Sequence, residues 1–448
     1  MTGKPAKRHV IVGGGTAGHN AITTIRHEER GREASEITLV SAERPYSRMV
    51  LPYYLGRTIA ESHVFTATPA RLAQLGVKAH LGRRAMGLDP RAGKLTLDDD
   101  TVVEYDDLLI ATGSSPVRPP VPGADGPGVH SFWTLDQARQ VVADVQPGSH
   151  VVMVGAGFIA FTILNAIVSL GARLTIVEIA PQILPRMIDR DGAQLVDAWL
   201  RTHGVEIRTG ATLQAVEQAG GKRRLRMREG GDVDADVVIM ATGIRANLDW
   251  LQGSGIRVDR GVVVDDHLRS SAPTVYAGGD VAEGRDLVTG QPDVHAIEPT
   301  AMEHGRVVGA NMAGRDVAYR GSLLMNIVDV CHLDVASFGR WDDREAEVMA
   351  AVRPERPAYR KLLWRGDRLV GAMLLGRADD VWTTNDVGML KGLVQTGAAL
   401  GRFKAHLHRN PFDVKTAFVA SGTTARLLPE TVLGRPSVSP AIVATSRA

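Results

Sequence analysis

A glycine-rich turn that follows a short apolar stretch near the N-terminus constrains the fold more than any other feature. Residues 9–12 read as a buried strand, and the next residues match G-x-G-x-x-G ahead of an alanine-rich helical segment. Such glycines allow a tight turn, let a pyrophosphate touch the backbone and bring helix close to strand. We therefore predict a phosphate-binding site, with a purely structural turn as the alternative. Its residues are Gly13, Gly15, Thr16, Ala17 and Gly18.

The same strand–turn–helix motif occurs again after residue 150. Residues 151–154 form a candidate strand, residues 155–160 read G-x-G-x-x-A, and a long apolar helix follows. After the next strand comes an acid, about 20 residues beyond the glycines, where a carboxylate accepts a hydrogen bond from a ribose hydroxyl. The complete set of strand, turn, helix, strand and acid predicts a second dinucleotide site. Its residues are Gly155, Gly157, Phe158, Ile159, Ala160 and Glu178.

The first half offers its own acid and an unusual loop. Ser41 ends the second strand and Glu43 follows, so Glu43 is the candidate for a ribose, with a solvated loop acid as the alternative. Residues 45–54 contain three tyrosines, two prolines and one arginine. This composition suits a flat ring ligand or, equally, the edge of a core. We expect Arg48 and Tyr53 to line the face of such a ring.

Both halves continue with hairpin patterns and a strand that ends in Ala-Thr-Gly, and a proline-rich boundary separates them. This internal duplication is stronger evidence for two dinucleotide-binding sites than any single motif. A later strand ends in Gly-Gly-Asp, whose carboxylate can accept from a hydroxyl, and a proline then opens a helix whose N-terminus can face a ligand carbonyl. The candidate residues are Ala111, Thr112, Gly113, Ala241, Thr242, Gly243, Gly279, Asp280, Pro299 and Thr300.

Composition excludes several classes of protein. The 448 residues carry a net charge of +2, with arginines spread along the chain, which gives no reason to expect nucleic acid. Cys331 is the only cysteine, so we expect neither a disulfide nor a metal site. No apolar run reaches the ~18 residues of a membrane span, and no signal peptide precedes the first strand. We therefore expect a cytoplasmic protein.

The last part of the chain has a different character. From Tyr319 the pattern predicts strands and hairpins with one further helix. Trp341, Trp364 and Trp382 are of a residue type that often anchors interfaces, so we predict a docking face for a partner or, equally, for a homodimer. From about Ser421 the chain is rich in small and polar residues, and we expect a mobile tail.

The order of these motifs resembles that of flavoproteins in the pyridine nucleotide–disulfide oxidoreductase superfamily, over about residues 8–410. The resemblance implies an α/β fold with two Rossmann-like, three-layer (β/β/α) dinucleotide-binding domains and an α+β C-terminal domain. It implies that FAD lies on the first glycine turn, with Asp280 at its ribityl chain, and NAD(H) on the second. The NAD domain is inserted into the FAD domain, which gives an FAD-binding domain of residues 1–118 and 245–318, an NAD(H)-binding domain of 119–244 and a C-terminal domain of 319–448.

Two departures from the family pattern bear on function. The loop at residues 45–55 resembles those of NADH oxidases, coenzyme A-disulfide reductases, nitrite reductase flavin modules, ferredoxin or rubredoxin reductases and the flavin subunit of phenylglyoxylate dehydrogenase. Where the oxidases and disulfide reductases carry a redox cysteine, this chain has Met49 and Val50, which form no thiolate. Where many relatives carry a glutamate beside the nicotinamide, this chain has Thr162.

The resemblance implies an FAD enzyme that exchanges a hydride with NAD(H) and electrons with a separate redox partner, such as an iron–sulfur protein or a subunit of an enzyme complex. The alternatives are an NADH oxidase that reduces oxygen and a flavin-based NADH sensor that acts through its C-terminal domain. Glu178 predicts a preference for NADH, because a carboxylate repels the 2′-phosphate of NADPH. Arg173 and Arg186 lie nearby in the sequence and leave some use of NADPH as the alternative.

Overall fold

The computed structural model describes residues 6–30, 34–353 and 355–423. The first segment of the chain supplies four strands of a parallel sheet, and its residues 85–104 form a small antiparallel sheet of three strands. Its elements are β1 (Arg8–Val12), α1 (Thr16–Glu28), β2 (Glu36–Ser41), α2 (Leu51–Leu55), α3 (Pro69–Gln74), β3 (Val77–Leu81), β4 (Ala85–Asp89), β5 (Lys94–Leu97), β6 (Val102–Glu104), β7 (Asp107–Ile110) and β8 (Ser114–Pro116). Short 3₁₀ turns occupy Arg48–Val50 and Glu61–His63.

The middle segment builds a second parallel sheet. Its elements are β9 (Val129–Ser131), α4 (Leu135–Asp144), β10 (His150–Val154), α5 (Phe158–Ser169), β11 (Arg173–Glu178), α6 (Arg190–Thr202), β12 (Glu206–Thr209), β13 (Leu213–Ala219), β14 (Lys222–Met227), β15 (Val233–Ala235) and β16 (Val237–Met240). The strand order is β12–β11–β10–β16–β9, with every neighbouring pair parallel. β13, β14 and β15 form an antiparallel sheet of their own, so each half contains a parallel sheet and a small meander.

The chain then returns to the first sheet. The elements are β17 (Ile244–Ala246), a 3₁₀ turn at Asp249–Leu251, β18 (Val262–Val263), β19 (Val275–Ala277), β20 (Ala282–Arg285), β21 (Pro292–Asp293) and α7 (Glu298–Met312). β19 pairs with β7 and completes the order β19–β7–β1–β2–β3. Two glycines of α7 allow close packing on α1, since a Cβ on Gly305 or Gly309 would lie 2.3 or 2.6 Å from a carbonyl oxygen of α1. The N-termini of α1 and α7 therefore lie near each other.

The C-terminal segment forms an antiparallel sheet with helices. Its elements are β22 (Met325–Val330), β23 (Leu333–Gly339), β24 (Glu347–Arg353), β25 (Ala358–Arg365), β26 (Arg368–Arg377), α8 (Val381–Thr396), α9 (Arg402–Arg409) and α10 (Val414–Ala420), in the sheet order β22–β23–β26–β25–β24. The apolar stretch of residues 323–338 does not form one strand, because Cys331 and His332 form the tight β22–β23 turn, with φ of +50° and +67°.

The C-terminal sheet packs against the middle segment, and this packing corrects one prediction. The indole N–H of Trp199 on α6 donates to the carbonyl of Val330 at 3.1 Å, and apolar residues of both segments share one core. Trp341 lies in that core and Trp364 lies in the core with α8–α10; they are 7% and 1% exposed. The prediction that these two anchor an outside partner is wrong. The side chain of Trp382 and the predicted tail from residue 424 lie outside the described residues.

Candidate functional site

The two glycine turns have the same backbone geometry. Gly13 and Gly155 each donate their N–H to the penultimate residue of the neighbouring strand, β2 or β11, at 2.8 and 2.7 Å. Both have positive φ, +116° and +102°, and an added Cβ would lie 2.1 Å from the oxygen of Ala111 or 2.4 Å from that of Ala241. Only glycine combines this conformation with this contact. Each glycine turn therefore packs against the Ala-Thr-Gly sequence that ends a strand in the same half of the protein.

Gly15 and Gly157 face open space instead. A Cβ on either would meet no atom of the described residues within 4 Å. They are the N-cap residues of α1 and α5, and neither makes a side-chain capping bond. The first N–H groups of both helices, with their partial positive charge, are therefore free to bind an anion, and the space beside them fits the phosphates of a dinucleotide.

One continuous cavity of about 1670 Å³ connects the two turns. Most of the residues predicted from the sequence line it, and they come from both parallel sheets and from α7. These residues are Gly13, Gly15, Thr16, Ala17, Glu43, Arg48, Ala111, Thr112, Gly113, Gly155, Gly157, Phe158, Ile159, Glu178, Ala241, Thr242, Gly243, Gly279, Asp280 and Pro299.

Three other predicted residues are buried behind the cavity wall. A Cβ on Gly18 would lie 2.0 Å from the oxygen of Gly13, so Gly18 serves the close approach of α1 to the turn. Ala160 is fully buried in α5, and Thr300 is buried in the first turn of α7. The structure therefore assigns these three to packing rather than to direct contact with a ligand in the cavity.

Tyr53 points away from the cavity, and this corrects the expectation that it lines a ring face. Its side chain is 60% exposed and does not line the cavity. α2 is a single helical turn, and Leu51 and Leu55 occupy its inward side. The residue two positions after Leu51 is therefore directed outward. Sequence composition indicated a ring-binding loop but not the direction of each side chain in it.

The acid at the end of the second strand differs between the halves. Glu178, buried at the end of β11, accepts two backbone N–H groups at 2.6 and 2.7 Å, one of them from its own glycine turn. In the first half Ser41 takes this place, since its Oγ accepts the N–H of Gly14 at 3.1 Å. The structural counterpart of Glu178 is therefore Ser41, and Glu43 reaches the cavity from the loop that follows.

Glu43 and Arg48 belong to one polar cluster in the cavity wall. The Tyr46 hydroxyl donates to Glu43 at 2.7 Å, and an Arg48 nitrogen lies 3.5 Å from the other carboxylate oxygen. The guanidinium of Arg48 also lies 5.2 Å from the ring centre of Trp133. Burial, together with the neighbouring Glu43, raises the pKa of Tyr46, which keeps that hydroxyl a neutral donor. The ion pair and the ring hold Arg48 in the wall.

Asp280 is held from two directions. Its carboxylate accepts a hydrogen bond from the Ser114 hydroxyl at 2.7 Å. The preceding residue, Gly279, donates its N–H to Nδ1 of His304 on α7 at 3.2 Å. Asp280 thus faces the cavity from a turn that is tied to α7, with acceptor capacity left for a ligand hydroxyl.

Ser47, Trp133 and Glu298 are among the lining residues that sequence reasoning did not name as site residues. The Glu298 carboxylate accepts from the Thr16 hydroxyl at 3.0 Å and from the Ser47 hydroxyl at 2.5 Å. A signal for Glu298 was present, because it directly precedes Pro299 at a helix start, where acids are favoured. Ser47 lies in the loop of residues 45–54, whose composition suits a ring ligand, whereas no local pattern pointed to Trp133.

The wall is apolar where α2, α5 and β22 meet. Met49, Phe158 and Ile327 line the cavity there, and Thr162 adds only a hydroxyl. Cys331 does not line it, and burial raises the pKa of its thiol to about 11, so it is no nucleophile. Among the described residues no cluster of His, Cys, Asp or Glu could hold a metal ion. No described helix is long and apolar enough to cross a membrane.

The family model for pyridine nucleotide-disulphide oxidoreductases matches residues 7–305, which include both glycine turns and the start of α7. The chain belongs to this family. This pyridine nucleotide-disulphide oxidoreductase is therefore an enzyme that acts on NAD(P)H with a flavin, as the order of motifs predicted.

Two relatives and one solved structure extend the comparison. The oxidoreductase is 32% identical to the epsilon subunit of NADH-dependent phenylglyoxylate dehydrogenase from Aromatoleum evansii, over 68% of this chain and 72% of that one. It is 31% identical to the ferredoxin–NAD(+) reductase component of the p-cumate 2,3-dioxygenase system from Pseudomonas putida, over 62% and 69%. The covalent putidaredoxin reductase–putidaredoxin complex has the same fold, with a TM-score of 0.82, 21% identity and coverage of 93% and 99%.

Proposed function

We propose that FAD binds at the first glycine turn and NADH at the second, and that the protein passes electrons between NADH and a separate redox protein. One observation carries this proposal: two glycine turns of the same geometry open into one cavity. Hydride transfer needs its two partners in direct contact, which a shared cavity allows. The FAD-binding domain is then residues 1–118 and 245–318, the NAD(H)-binding domain 119–244 and the C-terminal domain 319–448.

The first half of the cavity suits FAD. The open space at Gly15 and the free N–H groups of α1 suit its diphosphate, and Asp280 suits the ribityl hydroxyls. When bound, FAD supplies the reversible acceptance of a hydride. Arg48, held by Glu43 and Trp133, then acts as a positioning residue at the wall rather than as a proton donor.

The second half suits NADH. Gly157 leaves room for the diphosphate at the start of α5, and Glu178 stands where an adenosine ribose is expected. Each carboxylate oxygen of Glu178 accepts one backbone N–H and retains a lone pair for a ribose hydroxyl. A 2′-phosphate in the same place meets a buried negative charge, so the site favours NADH over NADPH.

The proposed electron acceptor is another protein. The named relatives are a dehydrogenase subunit and a ferredoxin–NAD(+) reductase component, which supports a protein acceptor here as well. Met49 and Ile327 line the cavity and are 43% and 41% exposed, so the wall reaches the surface at this point. A protein carrier needs such an opening, and an iron–sulfur protein or complex subunit is the proposed partner. A homodimer is the alternative occupant of the C-terminal surface.

Stopped-flow spectroscopy tests this function. The protein is reduced anaerobically with NADH and then mixed with a [2Fe–2S] ferredoxin, a rubredoxin or oxygen. We expect rapid oxidation by one of the carriers and slow oxidation by oxygen. Ile327→Lys is expected to slow the carrier reaction while leaving reduction of ferricyanide unchanged, and Val381→Lys, at a 68% exposed residue outside the cavity, serves as control. Complete reoxidation by oxygen at the steady-state rate identifies an NADH oxidase instead.

A further inference from the structure

A carboxylate accepts hydrogen bonds from two hydroxyl groups in the cavity, one of them beside the first glycine turn. Glu298 is the first residue of α7, and one of its carboxylate oxygens accepts both the Thr16 hydroxyl at 3.0 Å and the Ser47 hydroxyl at 2.5 Å. Thr16 is the first residue of α1, whereas Ser47 caps the 3₁₀ turn at Arg48. The side chain of Glu298 therefore links three elements that are distant in sequence, and it does so inside the cavity.

The donors that Glu298 engages are those that suit a phosphate. Thr16 follows Gly15, beside the open space where the proposed function places the FAD diphosphate. Carboxylate and phosphate oxygens both accept hydrogen bonds from hydroxyl groups, and both are favoured at a helix N-terminus. Two anions cannot share one pair of hydroxyl protons, so an incoming diphosphate competes with Glu298 for them.

The charge of Glu298 is less compensated than that of Glu43, which lines the same cavity. Glu43 has the guanidinium of Arg48 at 3.5 Å. The Glu298 carboxylate is held by two neutral hydroxyls and by the N-terminal field of α7, and it makes no ion pair with the described residues. Its negative charge is therefore poorly neutralised next to the place where a further anion must bind.

We propose that Glu298 is an internal anion that competes with the FAD diphosphate for the hydroxyls of Thr16 and Ser47 and so weakens the affinity of the protein for FAD. This inference rests on the proposed place of FAD at the first turn. The two hydrogen bonds of Glu298 stabilise the junction of α1, α7 and the loop at Ser47. When FAD binds, the carboxylate must release Thr16 and Ser47 to it. The affinity for FAD and the stability of the cofactor-free protein therefore oppose each other at this residue.

Titration of FAD into cofactor-free protein, followed by tryptophan fluorescence, tests this proposal because Trp133 and Trp250 line the cavity. We expect Glu298→Gln to lower the Kd for FAD by about tenfold, the size of one like-charge contact at a partly buried site. The same variant lowers the Tm of the cofactor-free protein, because it loses a charged acceptor. Glu303→Gln is the matched control: it removes one charge from α7 at a residue that contacts Tyr319 and does not line the cavity. We expect its Kd to stay within twofold of wild type.

The outcomes separate this inference from the proposed function. An unchanged or higher Kd for Glu298→Gln overturns the inference, even if the Tm falls. Failure of the wild-type protein to bind FAD overturns the proposed function. If Glu298→Gln does not fold, Glu298→Ala carries the same expectation, because it also removes the charge.

Discussion

The backbone N–H of Gly279 donates a hydrogen bond to Nδ1 of His304 at 3.2 Å, which ties the Gly-Gly-Asp turn to the middle of α7. The imidazole is buried, lies edge-on to Tyr319 at 4.9 Å and contacts the Ser322 hydroxyl through Nε2 at 3.3 Å. Burial, with a smaller contribution from His295, lowers the pKa of His304 to about 3. His304 is thus a neutral acceptor that positions the residue next to Asp280.

The first prediction concerns stability against pH. Between pH 6.5 and about 3 the unfolded chain binds a proton at residue 304 that the folded protein excludes, so stability falls as the pH drops below 6.5. At pH 5.5 the resulting loss of unfolding free energy is about 1.4 kcal/mol. His304→Gln keeps an acceptor for Gly279 and removes the titration. We expect urea unfolding of FAD-saturated protein to show a smaller loss from pH 7.5 to 5.5 in this variant.

The exposed His63 supplies the control for that measurement. His63→Gln should retain the pH dependence of wild type. The groups around His304 are His295, Tyr319 and, through the Tyr319 hydroxyl, Glu303. A wild-type pH dependence in His304→Gln would mean that other groups carry this loss of stability.

The second prediction concerns Asp280. Asp280→Asn keeps the contact with Ser114 and loses the charge, so FAD should bind more weakly by about 1.5–3 kcal/mol, or about ten- to a hundredfold in Kd. Equilibrium dialysis measures this change, and Ser114→Ala tests the support of the carboxylate alone. The Kd for FAD is thus expected to rise in Asp280→Asn, whereas it is expected to fall in Glu298→Gln. Retention of FAD at the wild-type Kd would remove Asp280 from the binding site.

The third prediction compares two glycines of the second turn. Gly157 has φ of −84° and open space at its Cβ position, so Gly157→Ala should keep the wild-type Tm and slow flavin reduction at low NADH more than tenfold. Gly155→Ala meets the Ala241 oxygen at positive φ and should destabilise the fold by more than about 2 kcal/mol. Calorimetry and stopped-flow reduction separate the two effects. Unimpaired reduction in Gly157→Ala would place the NADH diphosphate elsewhere.

The fourth prediction concerns cofactor choice. Glu178→Gln removes the negative charge beside the expected ribose, so the ratio of kcat/KM for NADH over NADPH should fall by about tenfold. Glu43→Gln, in the other half of the cavity, should leave the ratio unchanged. Steady-state kinetics with ferricyanide measures both. Equal ratios for wild type and Glu178→Gln would remove Glu178 as the source of discrimination.

The fifth prediction concerns the single cysteine. Cys331 lies in the β22–β23 turn, and its backbone N–H donates to the side chain of Asn165 at 2.7 Å, a bond that any residue at 331 retains. Cys331→Ser should therefore keep flavin reduction by NADH within a few-fold of wild type. Anaerobic stopped-flow at saturating NADH checks this. Loss of the half-reaction in a folded variant would reveal a thiol step that the buried position argues against.

Features that depend on short stretches of chain could be predicted from the sequence alone. We could predict the glycines of both turns, the strands before them and the acid at residue 178. Each of these features belongs to one βαβ unit, in which residue spacing and backbone conformation determine the local structure. The order of these units predicted the family, and the match to the family model confirms it. The direction of individual side chains could not be predicted from the sequence. Tyr53, for example, points outward because the short helix α2 directs Leu51 and Leu55 inward.

Contacts between residues that are distant in sequence could not be predicted and depend on how the elements pack. Thr16 and Glu298 are 282 positions apart, and they form a hydrogen bond because two glycines of α7 let that helix approach α1. The burial of Trp364 likewise depended on α8–α10 covering a sheet whose other face packs on the middle segment. Contacts of this kind carry no local signal, because the free energy that selects them comes from packing between whole elements rather than from neighbours in sequence.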